Sequence, residues 1–263
     1  MSAVAPAASV GELLRGWRQR RHRSQLDLAT DAEVSARHLS FVETGRSKPS
    51  RELVLHLAEH LEVPVRERNA LLLAAGYAPV HRETPLDDAA MGSVRAALDR
   101  LLEAHSPFPA LIVNRRHELV LANAPAAAFL EGIAPALLEP PINVLRVSLH
   151  PDGMAPRIAN LDEWGSSLRS QLHREARQTG DPALVALEEE LATYPGVGSV
   201  APDGFDPARA LFVPLRLRTP DGGLLSFFST IATFGTAVDI TLAELSIESF
   251  FPADDTTAAA LRG

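Results

Sequence analysis

Apolar positions in the first third of the chain follow the period of amphipathic helices, whereas beyond residue 110 they gather into short runs and alternations bounded by turn residues. Leu13, Leu14 and Trp17 mark the apolar face of a helix over 11–21 whose other face is basic. Ser24 is suited to cap a second, short helix that begins at Gln25 and carries Leu26, Leu28 and Ala29 at its small or apolar positions. Ala32, Glu33 and Val34 form a turn. Ser35 then caps a third helix running to about Thr44, with Leu39 and Val42 facing inward and Gly45 as its stop. A fourth helix is expected over 50–61, with Leu53, Leu55, Leu57 and Leu61 supplying apolar surface. Pro64 and Val65 open a fifth, which runs to Ala75 and is closed by Gly76.

The stretch APVHRETPLDDAAM, 78–91, has two prolines, scattered charge and no sustained period, which is the signature of a connector. Helical spacing returns over 94–104 through Val94, Leu98, Leu101 and Leu102. Two apolar runs, 110–113 and 119–122, flank the polar turn NRRHE and read as a hairpin. Helical patterns follow over 161–179 and 182–192. Strands are expected over 211–218, 224–234 and 242–251, the first two joined by the turn Pro220-Asp221-Gly222-Gly223. These elements predict an all-α domain over 1–82, a linker over 83–94, and an α+β domain over 95–263 with an antiparallel sheet and helices on one face.

Composition narrows the chemistry. The 263 residues include no cysteine, which removes disulfides, thiolate metal sites and cysteine nucleophiles together. No run approaches the roughly 18 apolar residues that a membrane helix needs, so a cytoplasmic protein without membrane insertion is expected. The net charge of −8 argues against a nucleic-acid partner until it is divided: residues 1–82 carry +3 and the remainder −11. Arg15, Arg18, Arg20, Arg21 and Arg23 cluster near the start, and Arg46, Lys48 and Arg51 form a second group.

Two short helices joined by a tight turn, the second apolar only on its inner side, form a helix-turn-helix pattern. The outer face of the third helix presents Ala36, Arg37, His38, Ser40 and Phe41, a set rich in groups that meet base edges: arginine pairs bidentately with guanine, serine bonds bases or phosphate, and small or apolar groups touch a thymine methyl. The segment resembles the Xre family of phage-repressor-type regulators over about residues 10–80. The likeness rests on Ser24-Gln25, Leu28-Ala29, Val34-Ser35, Glu43-Thr44-Gly45-Arg46 and Pro49-Ser50. It implies a five-helix domain that binds a double-stranded DNA operator as a homodimer. Gln25 would then position a phosphate, the first turns of the third helix (Ala36, Arg37, His38, Phe41) would read bases, and Arg46, Lys48 and Ser40 would hold the backbone, with Arg18 and Ser35 as further DNA-binding candidates. Glu33 departs from the family, many of whose members have glycine there; a left-handed backbone at a non-glycine residue costs about 1 kcal/mol.

The order of elements in the second domain is similar to a PAS-type sensor fold. Leu121-Ala122-Asn123-Ala124, Asn143-Val144-Leu145-Arg146, Leu149-His150-Pro151-Asp152-Gly153 and above all TFGTAVDITLAELSIESFFPADDTTAAALR resemble the MmyB-like ligand-binding domain. That resemblance implies an apolar small-molecule effector, a fatty acid being the class best suited, and otherwise no cofactor. Along 224–234, Phe228, Thr230, Ala232 and Phe234 share one strand face and Phe227, Ser229, Ile231 and Thr233 the other; parity alone leaves open which lines the interior. Trp164, Leu168, Phe212, Phe228, Thr230 and Phe234 are the candidates for an apolar lining, and Arg146 or His150 for a carboxylate head group.

Other chemistries have little support. His56 and His60 lie four apart but lack a third ligand, so no metal site is expected. His150, Asp152 and the run Glu188-Glu189-Glu190 contain catalytic residue types without a convergent nucleophile, acid and base, so no enzyme is expected. The competing reading is a second domain that serves dimerisation or protein interaction, its interior filled by side chains.

Overall fold

A computed structural model describes residues 8–200 and 212–262. The chain divides into two units: Met1–Glu83 with Ala237–Ala243, and Thr84–Thr236 with Glu244–Gly263.

In the first unit, α1 (Val10–Arg20) begins at a capping box. The Ser9 hydroxyl accepts from the Glu12 amide at 3.3 Å, and the Glu12 carboxylate accepts from the Ser9 amide at 2.8 Å. The same device, built from Ser24 and Asp27, opens α2 (Gln25–Asp31). Ser35 caps α3 (Ala36–Glu43), Ser50 caps α4 (Arg51–His60), and Pro64 precedes α5 (Val65–Ala74). Leu14 and Trp17 of α1, Leu28 and Ala29 of α2, Leu39 and Val42 of α3, Val54 and Leu57 of α4, and Leu71 and Leu72 of α5 bury into one core. The inward face of α4 is Val54, Leu57 and Ala58, with Leu61 beyond it; Leu53 and Leu55, expected to share that role, pack at its margin. Leu26 points outward and is 65% exposed.

Two backbone details fix how α3 sits. Gly11 allows α1 to approach the end of α3 so closely that a Cβ there would stand 2.4 Å from the Val42 carbonyl oxygen. Glu33 adopts φ 52°, so the turn between α2 and α3 does use the left-handed region at a non-glycine residue.

The second unit begins with α6 (Gly92–Ala104), then the hairpin β1 (Ala110–Val113) and β2 (Leu119–Ala122), and the helices α7 (Val144–Leu149), α8 (Leu161–Thr179) and α9 (Pro182–Leu191). Next come β3 (Leu215–Arg218), β4 (Leu224–Thr233), the short α10 (Ile240–Ala243), β5 (Ser246–Pro252) and α11 (Asp255–Arg262). The α10 turn belongs to the first unit, where its Ile240 amide donates to the Arg82 carbonyl at 2.8 Å. The strand expected over 242–251 therefore starts only at Ser246, and the part of the 211–218 strand at Leu211 lies outside the described residues.

All strand pairs are antiparallel, in the order β2-β1-β5-β4-β3, so the last strand of the chain enters the middle of the sheet. One sheet face, with Leu111, Phe250, Phe227, Leu215 and Leu217, packs against apolar residues that include Trp164 and Leu172 of α8 and Leu184 and Leu187 of α9. Two asparagines fasten the ends. Buried Asn123 accepts from the Ala110 amide and donates to the Leu102 and Phe108 carbonyls. Asn143 caps α7 and donates to the Arg116 carbonyl at 2.8 Å. These contacts explain why both residues stand within the motifs noted above.

Gly11→Ala is expected to lower the thermal stability of the first unit by about 1–3 kcal/mol through overpacking against α3. Glu33→Gly, which relieves the left-handed side chain, should cause no loss. Differential scanning calorimetry of the two variants beside the parent protein reads both effects.

Candidate nucleic-acid interface and ligand cavity

α3 is held from behind by a buried charge network. Arg18 of α1 donates from Nε to Glu43 Oε1 at 2.7 Å and from Nη2 to Oε2 at 2.8 Å, and its Nη1 donates to the Arg23 carbonyl at 2.8 Å. The Gln25 side-chain amide at the start of α2 donates to the same Glu43 Oε2 at 2.8 Å. Three helices are thereby pinned to one carboxylate. Burial pushes the Glu43 carboxyl up, but the hydrogen bonds from Arg18 and Gln25 and the Arg18 charge outweigh it and hold the group below the ordinary carboxylate range. Arg18 is raised in turn, chiefly by its hydrogen bonds to Glu43.

This geometry corrects one candidate. Arg18 is 9% exposed with its guanidinium committed to Glu43 and Arg23, so it positions α3 instead of meeting phosphate. Gln25 keeps one amide N–H beyond its bond to Glu43. On the outward face, Arg37 is exposed and its guanidinium lies 5.4 Å from the Phe41 ring centroid; exposed Arg46 approaches the same ring at 6.0 Å. Phe41 thus braces two cations side by side. Lys48 stands 5.3 Å over Tyr77, whose hydroxyl donates to the Pro49 carbonyl. His38 and Ser40 are half-buried beside them, Ala36 packs partly on the core, and Ser35 serves as the α3 cap. Both rings of the histidine pair on α4 are engaged, His56 with the Ala32 carbonyl at 2.8 Å and His60 with Asp31 at 3.3 Å.

The second unit contains a cavity of about 70 Å³. Its wall is apolar: Leu111, Phe129, Ile142, Leu145, Met154 and Phe250 are typical. Trp164 and Leu168, expected from the sequence, line it, and the Trp164 indole donates to Ser148 Oγ at 3.1 Å.

The other candidates do not line it. Strand parity places Phe227, 1% exposed, on the inner face of β4, so Phe228 and Thr230 look the other way. Phe228 stacks on Phe251 at 5.2 Å and meets exposed Phe212 at 5.7 Å, and Phe234 lies past the end of β4. Arg146 is engaged bidentately by Glu190 at 2.7 Å, and His150 Nδ1 accepts from the Asp152 amide. Neither is on the cavity wall. Conversely, the sequence reading missed Glu248, which does line the cavity. It missed the cavity residues of 126–154 as well, where short turns and α7 offer no long period to read.

Removing the Glu43 charge should unsettle the whole arrangement. Glu43→Gln is expected to cost roughly 3 kcal/mol at neutral pH, because it leaves buried Arg18 without its counter-ion. Since the folded-state pKa of Glu43 is depressed, this contribution is present above the ordinary carboxylate pKa and fades as pH falls through the lower folded value. Urea unfolding of parent and variant across acid pH should therefore show their stabilities converging.

Residues 9–71 match a family described as a helix-turn-helix domain. Among curated proteins, the transcriptional regulator ClgR of Mycobacterium tuberculosis, from two strains, is 34% identical over 74 residues, which is 28% of this chain and 63% of the relative. This chain thus spans less than two thirds of the length of those relatives. Residues 94–263 match the family described as the MmyB-like transcription regulator ligand binding domain. That match covers more than half of the sequence, and with the helix-turn-helix unit ahead of it the chain belongs to the MmyB-like transcription regulator family.

Proposed function

We propose that this protein is a cytoplasmic, sequence-specific transcription regulator of the Xre type that binds a double-stranded DNA operator as a homodimer, with an apolar small molecule as effector in its second unit. The observation that carries the DNA-binding half is the group formed by exposed Arg37 and half-buried Phe41 of α3 with exposed Arg46 just beyond its end, on a helix that the Arg18–Glu43–Gln25 network holds in place. Arg37, near the start of the helix, has the fork geometry that reads guanine in the major groove. Arg46, Lys48 and the remaining Gln25 N–H suit phosphates on either side. Ser40 and His38 complete the facing surface.

The effector half is supported by the apolar cavity. An alkyl chain, as in the fatty acid that the family likeness suggests, meets this lining along its length. No catalytic role is proposed for the protein. An effector shifts DNA occupancy only through unequal affinity for DNA-competent and incompetent states, so binding and regulation are separate measurements.

In fluorescence-anisotropy titrations, Arg37→Ala should lose about 1–3 kcal/mol of discrimination between operator and random DNA. Arg46→Ala should weaken both about equally and reduce the salt slope by about one. Equal losses on both DNAs for Arg37→Ala would remove it from base reading. Native mass spectrometry of the full chain, followed by organic extraction, should find an apolar compound bound; a protein that stays at its apo mass when alkyl compounds are added would favour the dimerisation role instead.

A further inference from the structure

Glu248 is out of place by the ordinary rules of sheet patterning. In β5, Ser246–Pro252, the inward-facing residues are Glu248 and Phe250, while Ile247 and Phe251 face the other side. Glu248 stands opposite Leu111 of β1 and Ile231 of β4, and its side chain opens into the cavity. Among the described residues that line the cavity it alone is titratable, and the other polar groups there are the Ser148 hydroxyl and the Trp164 indole that donates to it. The residue is half-buried, and no arginine, lysine or histidine is paired with its carboxyl among the described residues.

The groups that face it can be named. From β4, the Ser229 hydroxyl lies near enough to favour its ionised form. From the β1–β2 turn, His117 acts on it through charge alone, and that ring is bonded to Glu175 of α8 at 2.8 Å. From α8 the cavity receives only Trp164 and Leu168, and from β1 and β2 only apolar residues. Burial pushes the Glu248 carboxyl up to about 7, with Ser229 and His117 pulling weakly against it. A carboxyl without a charged partner in an apolar wall is costly, and one that opens into a cavity is a site for a group that can donate to it.

Resting on the reading that the cavity holds an effector, we propose that the ligand's polar end is a hydrogen-bond donor, best an alkyl ammonium group, seated on Glu248. A fatty-acid carboxylate in the same place would face a second carboxyl with no cation among the described residues of the wall, and would enter best by bringing a proton. An ammonium head does the reverse: it stabilises the ionised carboxylate, so its binding displaces any proton on Glu248. The two ligand classes therefore depend on pH with opposite signs.

The test uses three probes of matched chain length, dodecylamine, dodecan-1-ol and dodecanoic acid, titrated into the full-length protein below their aggregation limits. Fluorescence of Trp164, which lines the cavity, reports binding, with Trp17 as a constant background in the other unit. Dodecylamine should bind tightest, and its affinity should rise about tenfold between about pH 6 and about pH 8, as the fraction of ionised Glu248 grows. Glu248→Gln, nearly the same shape without the charge, should remove that rise and weaken the amine at least about tenfold while leaving dodecan-1-ol within about threefold. The pH profile of the unsubstituted protein stands whether or not the variant folds. Tightest binding by dodecanoic acid, or an amine affinity indifferent to pH and to Glu248→Gln, would overturn the proposal while leaving the effector reading intact. Refusal of all three probes would overturn the effector reading itself, and this proposal with it.

Discussion

The Glu43 carboxylate is the point on which the first unit is organised. It is the last residue of α3, it is buried, and it gathers donors from α1 and α2. Two charges removed from water need excellent geometry to be tolerated, and the bidentate arginine pair with a third donor from Gln25 supplies it. Because such a network is satisfied in only one arrangement, it sets the rotation of α3 more sharply than apolar packing of Leu39 and Val42 does alone. Gly11 contributes by letting α1 come close enough for Arg18 to reach. The orientation of Arg37, Phe41 and Arg46 toward solvent follows from the same constraint.

The second unit solves a different problem. Its sheet must cover a helical layer and still leave a space that side chains do not fill. β5 makes this possible by entering between β1 and β4, so that Leu111, Glu248 and Phe250 come together with Trp164 and Leu168 across the gap. A wall of leucine, isoleucine and phenylalanine would give affinity for any apolar molecule, with little selectivity. One carboxyl in that wall changes the balance, since a buried polar group rejects ligands that leave it unpaired.

Both units place a carboxylate where patterning alone expects none, and the contrast between them is instructive. Glu43 is fully partnered from within the protein, and its pKa falls. Glu248 has only a serine hydroxyl, and its pKa rises. The first arrangement serves rigidity. The second leaves an interaction open for something outside the chain.

Local signals in the sequence determined the helices of the first unit almost to the residue, because serine caps, a glycine stop and short apolar periods are written within a few positions of one another. They also determined α8, the first hairpin and the turn at Pro220–Gly223, and the outward set on α3 with Arg37 among it. Tertiary structure alone decided the rest. Arg18 and Glu43 lie 25 residues apart, so nothing local marks that arginine as a buried partner instead of a phosphate contact. In β4 both faces carry phenylalanine, and only pairing with β5 and burial against the helices selects Phe227 over Phe228. In β5 the pattern even points the wrong way, since Ile247 looks like the core residue and Glu248 like the solvent one. Strand order and register are long-range properties: a shift of one residue exchanges the two faces, and contacts distant in sequence, not the strand's own residues, fix which face lines the cavity.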